Sequence, residues 1–146
     1  MSGFRNEMCD FLRKHYPNEF GEYGNGTKAI GNFNGSQYDE AAAYRNAKIA
    51  INLSHYEIER YTSDRMYRIL GTGTSLCLAK GYPGIDKQFL DGFNLRVWNN
   101  LPELKFLIDY YLENENDRLS LASKGHQLVL QNNTFDCMVK NLINLI

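Results

Sequence analysis

Two short apolar runs, Lys48 to Ser54 and Thr74 to Ala79, are each bounded by polar or glycine residues, the pattern of buried strands. Between them, Tyr61 to Gly73 carries the marks of one helix. Thr62 or Ser63 can serve as N-cap, Asp64 sits in the first turn where a carboxylate suits the helix dipole, and Gly71 or Gly73 ends the helix. Strand, helix and strand in that order predict a βαβ unit with a right-handed connection. The helix N-terminus then lies at the carboxyl edge of a parallel sheet, the edge where such folds bind ligands.

Upstream, Phe4, Met8, Phe11, Leu12 and His15 fall at helical spacing, and Pro17 stops the pattern. Glu19 to Tyr23 alternates weakly and leads into Gly24-Asn25-Gly26, which predicts a short strand and a tight turn with positive φ. Thr27 to Ser36 reads as a loop, long enough for a connection of this kind to be a functional candidate. Gln37 to Ala47 is rich in helix formers, follows Ser36 as cap, and feeds the Lys48 strand. Downstream come a turn at Gly81-Tyr82-Pro83-Gly84, a short helix from Ile85 to Leu90 and a last strand from Phe93 to Trp98. A helix opened by Asn100, Leu101 and Pro102 is broken at Glu113 to Asn116, and two more follow, Asp117 to Leu130 and Phe135 to Ile146. The sum is one α/β domain, Rossmann-like and three-layered, with a short parallel sheet of about four strands and C-terminal helices.

Composition narrows the function classes. At 146 residues and 43% hydrophobic content the chain buries a real core as a single domain, and a net charge of -1 supplies no field for nucleic acid. No run approaches the roughly 18 to 20 apolar residues of a membrane span, and no apolar signal core follows Met1, so the expected location is cytoplasmic. Cys9, Cys77 and Cys137 are far apart, without metal-ligand spacing, and read as reduced thiols; no metal or cofactor is indicated.

Arg65 and Arg68 share a helix face and either clamp a diphosphate or pair with Asp64, Glu57 or Glu59 at the surface. His55, just past a central strand, can reach a ligand or serve structure alone. The glycine pairs around Asn25 and Thr72 do not complete a Gly-x-Gly-x-x-Gly fingerprint, and turns and helix ends account for them.

In order along the chain, Ala50-Ile51-Asn52-Leu53-Ser54, Tyr61-Thr62-Ser63-Asp64-Arg65, Leu70-Gly71-Thr72-Gly73, Pro83-Gly84-Ile85, Leu121 to His126 and Asn133-Thr134-Phe135 resemble the C-terminal half of group 1 glycosyltransferases, above all the spore-coat CgeB-like branch. The resemblance covers Lys48 to Ile146 well and the first third loosely. It implies a GT-B enzyme whose C-terminal domain binds a nucleotide-sugar, with the diphosphate at the start of the Thr62 helix. The expected substrate-binding residues are Gly24, Asn25, Ser54, His55, Tyr61, Thr62, Ser63, Asp64, Arg65 and Arg68; no catalytic residue is assigned. Family members commonly carry a ribose-holding carboxylate on that helix, where this chain has Tyr67 and Arg68. The family's first strand precedes a Gly-x-Arg-like turn, whereas here Gly3-Phe4-Arg5 follows only Met1-Ser2, as in an excised domain, a split gene or a reduced descendant. The expected acceptor half would then come from a partner chain or a homo-oligomer. The alternative functions are a stand-alone nucleotide-binding or sequestering module and a structural interaction domain.

Overall fold

A computed structural model describes residues 2–23, 29–31, 37–54 and 58–144. Along the chain lie α1 (Ser2–His15), α2 (Gln37–Asn46), β1 (Ile49–Asn52), α3 (Asp64–Gly71), β2 (Leu76–Lys80), β3 (Arg96–Trp98), α4 (Leu101–Glu113), α5 (Glu115–Asn132) and α6 (Phe135–Ile143). A 3-10 turn at Ile85–Lys87 follows β2. The strands form one parallel sheet in the order β1-β2-β3, with Asn52 opposite Ala79 and Lys80 opposite Trp98.

Strand alternation sorts β2 into two cores. Leu76 and Leu78 pack with Trp98, with Met8 and Leu12 of α1, and with Leu104 and Leu107 of α4. On the other face Cys77 and Ala79 pack with Met66, Ile69 and Leu70 of α3 and with Phe89. Helices therefore cover both faces, as parallel strands require. Burial pushes the Cys77 thiol up to about 12, so it packs as a small neutral side chain.

Helix α5 crosses the amino ends of the strands. Arg118 donates to the Lys48 carbonyl at 3.3 Å, His126 lies against Gly73, and Gly125 faces the Asn94 carbonyl just ahead of β3. The opposite, carboxyl edge is left to polar residues. Helix α4 starts with a reciprocal cap, in which the Asn100 side chain accepts from the Glu103 N–H at 2.9 Å and Glu103 accepts from the Asn99 N–H at 2.8 Å.

Three strands are present among the described residues, fewer than the about four expected from the sequence. The Glu19 to Tyr23 run makes one bridge, Tyr23 to Gly31, and one bond from the Ile30 N–H to the Glu22 carbonyl at 2.8 Å. Phe20 turns to the core and Glu22 pairs with Arg13 of α1, so side-chain contacts take the place of a ladder. The last strand is also shorter than expected, because Asn94 accepts from the Leu90 N–H at 3.0 Å and holds 90–94 as a turn in which Gly92 has φ +75°. The break before α5 narrows to Asn114. The Gly24 to Gly26 turn, most of the Thr27 to Ser36 loop, the Ser36 cap and the last two residues of the expected C-terminal helix lie outside the described residues.

Gly125→Ala is expected to destabilise the fold by about 1 to 3 kcal/mol in urea unfolding, through overpacking. Its Cβ would stand 2.5 Å from the Asn94 carbonyl oxygen and 2.7 Å from Leu70 Cδ2.

Candidate functional site

The carboxyl edge takes its shape from two chain exits held together. Leaving β1, the backbone reaches Arg60 in the left-handed region, φ 59°, and the Arg60 N–H donates to the Pro83 carbonyl at 2.8 Å. Gly84 has φ +77°, and a Cβ there would sit 2.8 Å from the Arg60 side chain, so glycine permits this close approach. The Thr62 hydroxyl donates to Gln88 Oε1 at 2.6 Å and lies 2.6 Å from the Tyr82 hydroxyl. The segment between β1 and α3 is thereby fixed to the segment after β2.

Helix α3 begins at this fixed point, and its cap differs from expectation. Ser63 is the N-cap residue, with extended φ and ψ, but its side chain makes no cap bond. The hydroxyl donates instead to Asn52 Oδ1, at 3.1 Å, at the end of β1. Asn52 is 1% exposed, and its Nδ2 has no partner among the described residues. Leaving a buried amide unpaired costs about 1 to 3 kcal/mol. Within the first turn, the Met66 N–H bonds the Ser63 carbonyl at 3.0 Å. The Asp64 and Arg65 N–H groups have no intrahelical acceptor by helix geometry, and among the described residues no side-chain bond to them is found.

Two guanidinium groups flank this helix start. Arg5 of α1 donates to the Leu53 carbonyl at 3.3 Å, which anchors it at the exit of β1. Burial and then repulsion by Arg65 lower the Arg5 pKa from its ordinary value. Arg65 also acts on Tyr44 of α2, whose hydroxyl burial and Glu40 hold in the neutral form. Among the described residues no carboxylate pairs with Arg65.

Arg68 has the opposite surroundings. It meets Glu40 at 2.6 Å and Asp64 at 2.5 Å, at a side chain 45% exposed. Ser54 is buried at the β1 exit and Tyr61 is partly exposed on the fixed segment. The structure thus joins Ser63 to Asn52 at the end of β1, with Ser54 buried two residues further on, ties Thr62 into the Tyr82 and Gln88 cluster, and turns Asp64 and Arg68 to each other. His55, Gly24 and Asn25 lie outside the described residues. Sequence reasoning missed Arg5 and Asn52 as neighbours of this site. Asn52 carried a legible signal, an amide at the end of an otherwise apolar strand.

A groove of about 510 Å³ runs along the outer side of α3 to the start of α6, lined in part by Glu40, Arg45, Asp64, Tyr67, Arg68 and Phe135. Among the described residues no cluster of histidine, cysteine and carboxylate side chains could hold a metal ion, and no helix is long and apolar enough to cross a membrane.

The sequence profile of a family described as glycosyl transferase-like matches residues 5–144. Crystal structures of Anabaena HepE in complex with UDP and with UDP-glucose are similar to this chain, with TM-scores of 0.68 and 0.66 at 13% identity. The likeness covers 81% and 82% of this chain but 31% and 32% of HepE, so the chain spans about a third of that protein's length. The C-terminal domain of a group 1 glycosyl transferase, LpcC from Francisella tularensis, is similar at a TM-score of 0.59 and 12% identity, over 88% of this chain and 77% of that one. No curated protein matches the sequence. The shared architecture is that of a GT-B C-terminal half, a short parallel sheet between helices.

Arg68→Ala is expected to cost at most about 1 kcal/mol of stability, with the loss shrinking as salt is raised, because the ion pairs it removes are solvent-screened. Urea unfolding at low and high ionic strength measures this.

Proposed function

Since the chain belongs to the glycosyl transferase-like family, matched over residues 5–144, we propose that it binds the nucleoside diphosphate portion of a nucleotide-sugar at the start of α3. The observation that carries this reading is the presence of Arg65, with Arg5 held at the nearby Leu53 carbonyl, at a helix start whose N-cap residue Ser63 makes no cap bond. Such N–H groups and the helix dipole favour an anion, and a guanidinium adds charge-assisted bonds. The groove beginning at Asp64 is of a size that suits the rest of such a ligand. The UDP and UDP-glucose complexes of HepE support uridine nucleotides as the first ligands to try. The ordered motifs support a place in the spore-coat CgeB-like branch, within a cytoplasmic protein that needs no metal for donor binding.

In group-transfer terms the site serves the leaving group. As the bond between sugar and diphosphate breaks, negative charge grows on the diphosphate, where backbone N–H groups and Arg65 stabilise it without a covalent protein intermediate. Orientation of an acceptor against the sugar belongs to the facing wall of a two-domain cleft, supplied by further chain, a partner or a second copy, and such orientation is worth about 7 to 11 kcal/mol of barrier. A second reading, a nucleotide-binding module without transfer activity, is favoured by Arg68. Its cation, matched by Glu40 and Asp64, stands where the family resemblance expects a carboxylate.

UDP at 100 times its dissociation constant should raise stability by about 2.7 kcal/mol, a clear melting shift. Arg65→Ala should weaken UDP binding by about 1.5 to 3 kcal/mol in calorimetry while changing stability little. Absence of a shift with UDP and the other common nucleoside diphosphates would overturn the reading.

The isolated 146-residue domain should bind UDP-glucose without transferring glucose at an enzymatic rate to a broad acceptor panel. Robust turnover by a monomer would show that one wall of the cleft suffices.

A further inference from the structure

We propose that Asn52 is a positioning residue that holds the Ser63 hydroxyl away from α3 and so keeps the first-turn N–H groups open to an anion. The proposal rests on the reading of the α3 start as the diphosphate seat. Asn52 is the last residue of β1 and points to the face where Ala50, Met66, Ile69, Cys77 and Ala79 form an apolar cluster. Simple packing would favour an apolar residue at this position. The amide is 1% exposed, its Oδ1 accepts the Ser63 hydroxyl at 3.1 Å, and its Nδ2 has no partner among the described residues. Among the described residues its side-chain bond is to the N-cap residue of α3.

A serine at an N-cap ordinarily accepts from the N–H of the second or third helical residue, and that bond competes with a bound anion for the same donor. Here the second residue is Arg65, and the Ser63 side chain makes no cap bond. Bonding to Asn52 fixes the hydroxyl in the orientation that leaves the Arg65 N–H uncovered. Loss of Asn52 therefore allows the hydroxyl to swing onto the helix, closing the seat, while loss of both side chains opens it again. A residue with a merely structural role would show no such rescue.

The test compares the wild type with Asn52→Ala, Ser63→Ala and the double variant Asn52→Ala/Ser63→Ala. Asn52→Val, which keeps volume and strand propensity, replaces Asn52→Ala in both single and double form if the alanine variant does not fold. Amide hydrogen exchange without ligand is the first readout. The Arg65 N–H should exchange more slowly in Asn52→Ala than in the wild type and return to the wild-type rate in the double variant. Calorimetry with UDP is the second, where Asn52→Ala should bind about fivefold more weakly, the worth of one cap, and the double variant should recover the loss. Exchange at Arg65 unchanged in Asn52→Ala, or slowed equally in the double variant, overturns the role of Asn52 whatever UDP does. If the wild type binds no nucleotide but the exchange pattern holds, the positioning of Ser63 stands and the nucleotide reading alone fails.

Discussion

The burial of β2 on both faces decides where this domain can carry polar chemistry. Leu76, Cys77, Leu78 and Ala79 are all fully excluded from solvent, so neither face of the central strand can carry a functional group without an unpaired buried polar atom. The amino edge is closed as well, because α5 lies across it and packs Gly125 and His126 against the backbone at 94 and 73. Chemistry is left the carboxyl edge. Burial of each leucine in the two clusters is worth about 1.5 to 3 kcal/mol, enough to offset the Asn52 Nδ2, which has no partner among the described residues.

Position alone would not make a site of that edge; it must also be rigid. Arg60 occupies a backbone region that residues other than glycine, asparagine and aspartate rarely adopt, and it does so because its N–H is held by the Pro83 carbonyl and its side chain fills the space beside Gly84. Thr62, Tyr82 and Gln88 form a second tie between the same two segments. The two ties fix where α3 begins relative to the ends of β1 and β2. A seat whose geometry is set before the ligand arrives loses less ordering free energy on binding.

The parts of this structure fixed by local periodicity were legible in the sequence, and the parts fixed by contacts between distant segments were not. The β1, α3, β2 unit follows from two apolar runs and a capped helix pattern, and the Asn100 cap of α4 from an asparagine before a proline-containing first turn. The expected strand at Glu19 to Tyr23 failed because Glu22 finds Arg13 and Phe20 finds the core, neither of which an alternating pattern encodes. Ser63 was one of two candidates for the N-cap, with Thr62, and it holds that position without the cap bond, because its hydroxyl goes to Asn52, eleven positions away in sequence. Arg5 was noted in the Gly3-Phe4-Arg5 run but not placed at the site, because its helix reads as an ordinary amphipathic one, and only packing of α1 on the sheet brings it to the Leu53 carbonyl.

Arg65 and Arg68, three positions apart on one helix, show how surroundings divide identical side chains into different roles. Arg68 is matched by two carboxylates in a solvent-exposed arrangement, where the net gain is small and the cation is already satisfied. Arg65 has no carboxylate partner among the described residues, and its charge, after burial, is the next cause that lowers the Arg5 pKa. Under the proposed nucleotide reading, an anion at the start of α3 would ease that repulsion, a contribution with no counterpart at Arg68. A net charge of -1 does not exclude the proposed site, because the field that acts on a ligand is local, and beside the start of α3 the charges of Arg5 and Arg65 are both positive.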